Sequence, residues 1–404
     1  MDDVTRGAEQ SAPRGRTPGR RRGVAALVFD LRALRFAGQV VAITLLLAIA
    51  VYLRDNYQAN VEDRNVRSGW DFLDEPTGFG IPNSDFRPGQ PVRDALWLGV
   101  RNTATSAVAG IALATVLGVL IGVLRLSASW VARKAATLYV EVLRNVPVLL
   151  IILFTSAWLA TLPRITDART LGSLAVISNR EVAFPSPVAG DSMTAYAVAL
   201  AVALVAAGAV WVWRTRVSDA TGQPHHRVLW AGGLVAAVAV VAYLVLDGPV
   251  TLSRPEVAGS SVAGGISLNI PFLALTLALA MYHASHIAEI VRGSIQAVPY
   301  GQTEAATAIG LSSFARLRYV VLPQAFRIAV PPTINQYLSL TKNTSLGIAV
   351  AYSDVSALSF QLIGGSRAPA LGLILVLMAI YLAFSLTTSL AMNIVNRRLQ
   401  LVER

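Results

Sequence analysis

Seven stretches of this chain run for the length of a membrane crossing without a single Asp, Glu, Lys or Arg. They are Phe36 to Leu53, Asn102 to Leu124, Asn145 to Pro163, Thr194 to Trp213, Val228 to Leu246, Val257 to Ala288 and Ala368 to Asn396. A helix rises about 1.5 Å per residue, so roughly 20 apolar residues cross the hydrocarbon of a bilayer. One such run could be a buried helix of a soluble core, but seven in 404 residues could not. An eighth run, about Ile328 to Val350, is interrupted only by Lys342 and is the most polar, with Asn335, Gln336, Ser339, Thr341, Asn343, Thr344 and Ser345. Repeated short strand patterns are absent, and helices satisfy their own backbone in lipid. The expected fold is therefore an all-α membrane protein with about eight transmembrane helices.

Charge sets the expected orientation. Charged residues make up 14% of the chain, against about 25% in a soluble domain. The net charge of +11 could indicate nucleic acid, but the apolar runs point to lipid instead. With eight spans and the N-terminus inside, 21 of the 34 basic residues fall in cytoplasmic segments and 10 outside, while Arg101, Arg144 and Lys342 lie near or within spans. Seven spans weaken that bias, so both termini are expected to be cytoplasmic. Residues 1–35, with Arg20, Arg21 and Arg22 adjacent, read as a basic cytoplasmic tail. The run after it starts too late and is too long for a signal-peptide core. Cysteine is absent, and four His residues leave little material for a metal centre.

The spans are of two kinds. The first, fourth and fifth are nearly pure Ala, Val and Leu and read as accessory helices. The other five carry polar groups within them or at their ends, which cost several kcal/mol in lipid unless paired or wet. The expected order is an accessory helix at 36–53, an outer loop at 54–95 and the first part of a core at 96–162. An insert with two accessory helices at 163–267, the second part of the core at 268–396 and a cytoplasmic tail at 397–404 complete it. The outer loop holds Trp70, Phe72, Phe79 and Phe86 and is expected to contain short ordered elements. Nothing in the residues decides whether it touches a partner or only connects.

The longest cytoplasmic stretch between spans, Glu289 to Arg327, carries the most information. Around Glu304, Ala305 and Ala306 it has helical character, and Gly310 interrupts it. Ala306, Gly310, Phe314, Leu317 and Val321 recur at helical spacing and give one apolar face outside the membrane. The membrane surface, the chain's own helix ends or a soluble partner could cover that face. Pro323 is expected to stop or bend the helix before the next span. In the seventh span Asn335, Ser339, Lys342 and Ser345 share a helical face, with Thr344 beside them. That face is expected to line a translocation path or gate, or else to pack against neighbours. Glu289 and Arg292, and likewise Glu141 and Arg144, stand three residues apart and are expected to pair at helix ends. His283 and His286 read as polar interior groups, and Gly118 and Gly122 as a close helix contact. No Gly-x-x-x-x-Gly-Lys-Ser/Thr phosphate loop occurs, so any ATP hydrolysis is expected in another chain.

Glu304-Ala305-Ala306, then Gly310, then Leu322-Pro323 resembles the EAA loop of ABC importer membrane subunits. The wider stretch is similar to the polar amino-acid uptake permeases: Glu289, Arg292-Gly293, Gly301-Gln302, Gln324-Ala325, Arg327, Pro331, Asn335 and Lys342-x-Thr344-Ser345-Leu346 continue the pattern. Upstream, Asn102-Thr103, Gly118-x-x-x-Gly122, Arg125-Leu126-Ser127 and Tyr139-Val140-Glu141-x-x-Arg144-Asn145-x-Pro147 fit as well. Length and accessory spans resemble the larger permease of the general L-amino-acid system of Gram-negative bacteria. After Pro147 the chain departs from the family, with Val148 to Phe154 where Gln and aromatic residues are frequent. The resemblance implies a permease of the bacterial inner membrane with a path formed by two membrane subunits, the second being related to this one. It also implies an ABC ATPase subunit dimer carrying ATP and Mg, and a periplasmic amino-acid-binding protein. It places Glu304, Ala305, Ala306, Gly310, Leu322 and Pro323 at the ATPase contact, and makes Lys342 a structural or gating residue. No cofactor is expected in this chain and no nucleic acid as a partner. The residues alone leave a gradient-driven secondary transporter and a purely structural membrane subunit open.

Overall fold

The computed structural model describes residues 31–63, 69–222, 226–365 and 368–399. Most of the expected basic tail, up to residue 30, and the end of the C-terminal tail, from residue 400, lie outside them. The chain divides into two units at Ser68 and Gly69. The first contains one long helix, α1 (Leu31–Asp63), whose apolar side chains are exposed from Leu34 to Tyr57. It covers the first expected span and continues past it.

The second unit is a helical bundle. Its helices are α2 (Val92–Leu124), α3 (Trp130–Asn145), α4 (Val148–Ala160), α5 (Met193–Thr221), α6 (Arg227–Val245) and α7 (Ile270–Gln296). The remainder are α8 (Tyr300–Ala308), α9 (Ser313–Arg316), α10 (Leu322–Asn343), α11 (Val355–Gly364) and α12 (Ala370–Leu399). Among the described residues six helices are long and apolar enough to span a membrane, or up to eight if each of two bent pairs is one span. The number of spans agrees with the sequence, but two run differently from the charge-free stretches. The third is a bent pair, α3 with α4, turned by 110°. Pro147 holds Val146 in an extended conformation between them, so the 13 residues of α4 are not continuous with α3. The sixth begins only at Ile270, where Asn269 Oδ1 accepts from Phe272 N–H at 2.8 Å and Pro271 occupies the first turn.

Residues 257–269, expected to be the first part of that sixth uncharged run, are short strands and turns instead. β1 (Arg169–Thr170), β2 (Val176–Ile177), β3 (Glu181–Phe184) and β8 (Ile266–Asn269) form an antiparallel sheet in the order β1-β2-β3-β8. β4 (Ser186–Ala189) pairs with β5 (Val250–Ser253), and β6 (Glu256–Ala258) with β7 (Ser261–Ala263). The ribbons flank α5 and α6, which pack on each other. Their rows of Ala, Val and Leu are mostly exposed.

The core sits where α2, α4, α7 and α10 meet, around Ala114, Ile152, Leu275, Leu279, Ile287 and Leu340. Gly118 and Gly122 make the α2–α7 contact as expected. A Cβ at Gly118 would stand 2.6 Å from Ile287 Cβ, and one at Gly122 2.8 Å from the Ala288 carbonyl. Gly122→Val is therefore expected to destabilise the bundle by about 1–3 kcal/mol. Gly208→Ala, in open space on α5, is expected to be neutral or slightly stabilising. Thermal melts of the purified chain in one detergent distinguish the two. The segment before α2 also folds onto this unit: Phe72 is buried with Val92, Leu96, Val355 and Leu373, and Phe79 and Phe86 pack over Ile81 and Leu358.

Candidate functional site

α8 leaves α7 through Pro299 and ends in a Schellman turn. Leu311 N–H donates to the Ala306 carbonyl at 3.1 Å and Gly310 N–H to the Thr307 carbonyl at 3.0 Å. That geometry needs the left-handed region at Gly310, whose φ is +79°. Ser312 then caps α9, its hydroxyl accepting from Ala315 N–H at 3.3 Å. A π-helical turn, Leu317–Val321, joins α9 to α10 without a break. Pro323 falls in the first turn of α10, where the missing N–H costs little. The helical run continues through it, so it does not stop the helix.

The expected apolar face is divided. Ala306 is buried and Ala305 exposed, while Ile309, Phe314 and Leu322 stand outward. Glu304 is exposed and makes no hydrogen bond or ion pair to any described residue. The turn is braced by Arg316 Nη1 donating to Thr307 Oγ1 at 2.8 Å and by Gln324 Nε2 donating to Gln302 Oε1 at 3.3 Å. A braced helix–turn–helix therefore presents an unpaired acid and a row of bare apolar side chains.

α10 carries the polar face. Asn335 and Lys342 are exposed and Ser339 half-buried. Ser345 does not continue the row, because α10 ends at Asn343 and a 3₁₀ stretch, Thr344–Val350, follows. Ser345 Oγ donates to the Lys342 carbonyl at 2.9 Å. Thr344 is fully buried and its hydroxyl donates to the Thr341 carbonyl at 2.7 Å. Pro331 and Pro332 lie inside α10 and remove two of its backbone bonds. The opposite side of α10 is fastened to α7 and α2. His283, buried, has Nδ1 at 3.2 Å from Gln336 Oε1 and Nε2 at 3.3 Å from Asn343 Nδ2. Tyr337 and Thr115 share a hydroxyl–hydroxyl bond of 2.8 Å.

The expected ion pairs are half right. Glu289 pairs with Arg292, and it also takes Arg125 from the end of α2 and approaches Arg144 of α3 at 4.0 Å. Glu141 and Arg144 form no pair, since Arg144 turns toward Glu289 and Glu141 is exposed. One carboxylate thus faces three guanidinium groups where α2, α3 and α7 meet. Tyr139, donating to the Met281 carbonyl at 2.9 Å, fastens α3 to α7 nearby.

A second polar cluster, at the far end of the bundle, escaped the sequence reading. Asp354 is fully buried, caps α11 through Ala357 N–H at 2.8 Å and accepts from Tyr381 at 3.1 Å. Val355 N–H donates to Thr103 Oγ1 at 3.1 Å. An Asp directly before Val355-Ser356-Ala357-Leu358 is a helix-start signal, and it was available in the sequence.

The sequence profile described as "Binding-protein-dependent transport system inner membrane component" matches residues 114–401. The general L-amino acid transport system permease protein AapQ of Rhizobium johnstonii is 39% identical over 91% of this chain and 92% of its own length. The glutamate/glutamine/aspartate/asparagine transport system permease protein BztB of Rhodobacter capsulatus is 34% identical over 94% of this chain and 96% of its own. These relatives favour the permease reading over a gradient-driven carrier. With its apolar helices, the profile and the relatives make this a multi-pass protein of the bacterial inner membrane, of a kind that works with an ATPase and a binding protein. The chain belongs to the family of binding-protein-dependent transport system inner membrane components, as an ABC transporter permease.

Proposed function

We propose that this chain is the larger permease subunit of an ATP-driven L-amino-acid importer, with both termini cytoplasmic, and that it hydrolyses no ATP itself. The observation that carries the reading is mechanical. The exposed α8–α9 turn runs through one uninterrupted backbone into α10, the helix with the polar exposed face. Force applied at Glu304, Ala305, Ala306, Gly310, Leu322 and Pro323 moves α10 directly. An ATPase subunit dimer, with ATP and Mg held in the ATPase chains, supplies that force. It biases a bundle with outward and inward states. A second, related permease subunit covers the far side of the path, and a periplasmic binding protein delivers the amino acid. Lipid covers α1, α5 and α6.

The exposed Asn335 and Lys342, with half-buried Ser339 between them, support a path on α10. Polar groups facing hydrocarbon are costly, so water or the second subunit lies opposite them. Thr344, buried, fixes the end of α10 instead, and Ser345 lies beyond the row. Substrate class follows the relatives, whose names span general and acidic or amidic L-amino acids. The test is reconstitution in liposomes: uptake must require both the ATPase and the binding protein, and uptake by this chain alone under a proton or sodium gradient overturns the reading. Lys342→Met is expected to lower uptake at least about tenfold in correctly assembled complexes, the scale of one lost charge-assisted interaction. Unchanged uptake removes Lys342 from the gate.

A further inference from the structure

At the end of the bundle opposite α8 lies a pocket of about 170 Å³, framed by residues 82–84, α2, the start of α7 and residues 351–353. Its walls are tied together. Asn102 Nδ2 donates to the Ser353 carbonyl at 2.8 Å, and Tyr352 Oη donates back to the Asn102 carbonyl at 2.9 Å. Arg101 is the one Asp, Glu, Lys or Arg in the lining, and it makes no ion pair or hydrogen bond through its guanidinium among the described residues. Two of the four described non-glycine residues in the left-handed region, Asn83 and Ala351, both at φ 58°, stand at this pocket. For alanine that conformation is unfavourable, and such strain gathers at binding sites.

A second pocket, about 330 Å³, shares Ser84, Leu98 and Arg101 with the first and adds Asp85, Asp94 and Trp97. Arg101 therefore stands where a neutral polar pocket meets an acidic one. Asp94, Leu98, Arg101 and Thr105 follow one face of α2 at steps of four, three and four residues. The seven residues from Asp94 to Arg101 rise about 10 Å, a gap that a long Arg side chain and a small zwitterion bridge together. Asp94 lies 3.9 Å from Arg93 Nε, but Arg93 is also held by Asp74, so the Asp94 carboxylate keeps room for an ammonium group.

We propose that these joined pockets receive a free amino acid before it enters the path, its α-carboxylate on Arg101 and its α-ammonium toward Asp94 and Asp85. The proposal rests on the amino-acid importer reading. Chemistry common to all L-amino acids is recognised here, so side-chain selection falls elsewhere.

The test is ligand-observed NMR on the full chain in lipid nanodiscs, with L-alanine, propionate (the same molecule without its ammonium) and ethylamine (without its carboxylate). The wild type is expected to bind alanine, to bind propionate more weakly, and to give no signal with ethylamine. Arg101→Gln is expected to weaken alanine and propionate at least about tenfold, with Arg101→Lys intermediate. Asp94→Asn is expected to weaken alanine but leave propionate unchanged. Folding of each variant is checked by its melting temperature. Alanine binding by Arg101→Gln equal to wild type overturns the assignment. So does an Arg101→Gln variant that binds alanine normally but no longer docks the binding protein, since Arg101 then meets a protein carboxylate. A wild type that imports alanine when assembled but binds none here also sinks the pocket and leaves the importer standing. Failure of the importer reading looks different: no ATP-dependent uptake by the assembled complex, whatever the pocket binds.

Discussion

Gly310→Val is expected to lower transport-coupled ATP hydrolysis while leaving the chain in the membrane. The reason is conformational. A Cβ at Gly310 would meet nothing within 4 Å, so crowding is not the problem. The backbone is, because φ of +79° lies where a β-branched residue is strained. Relieving that strain opens the Schellman bonds from Leu311 and Gly310 and frees the angle between α8 and α9. The brace from Arg316 to Thr307 loses its geometry with it. Far from the core packing of α2 and α7, the change spares insertion. Substrate-stimulated ATP hydrolysis and uptake by the assembled complex are both expected to fall about tenfold or more, in line with roughly 1–3 kcal/mol of local strain. Gly310→Asn is the internal control. Asn tolerates the left-handed region, so it should keep most of the coupling. Equal loss in Val and Asn would mean that space at a docking surface, not backbone angle, is what Gly310 provides. Full activity in both would remove the turn from the coupling route.

Gly310 also marks what a sequence of this kind makes legible. A glycine between a helical run and a Ser-capped second run announces a turn, because the signal is local and backbone-based. The number of spans was legible for a similar reason: hydropathy adds up along the chain. Direction was not. The charge-free run from Asn145 to Pro163 reports solvent preference and is silent on the axis, and the break at Val146 lay in the Pro147 that follows it. Val257 to Asn269 lacks charges yet forms strand ribbons, and its Gly259, Gly264 and Gly265, all at positive φ, were the better guide. Partners distant in sequence were hidden most completely. Spacing along one helix offers Glu141 to Arg144, whereas the fold delivers Glu289. Asp354 was missed because a single acid between two spans looks like loop until Tyr381 and Thr103 are seen to close around it.

Glu289→Gln is expected to be the most damaging single substitution at the α2–α3–α7 end of the bundle. Among the described residues Glu289 is the one acid facing Arg125, Arg144 and Arg292. Arg125 is the most enclosed of them, its side chain only 13% exposed, and its Nε has no partner among the described residues. An amide keeps the shape of the carboxylate and removes its charge. Three guanidinium groups are then left close together, that of Arg125 largely shielded from solvent. Breaking a buried ion pair costs about 3–5 kcal/mol, and the partial exposure of Glu289 and Arg144 reduces that, so a loss of about 1–3 kcal/mol and several degrees of melting temperature is the expected scale. Two further measurements separate electrostatics from lost hydrogen bonds. Raising ionic strength should recover part of the loss in Glu289→Gln, because screening weakens repulsion between the exposed members. Adding Arg144→Gln should recover part of it as well, since it removes a cation that no longer has a partner. If neither salt nor the second substitution restores stability, the three arginines do not act through charge, and Glu289 holds the helix ends by hydrogen-bond geometry alone. Because α7 leads directly into α8 through Pro299, a loosened end here should also blunt substrate-stimulated ATP hydrolysis, and by less than Gly310→Val does.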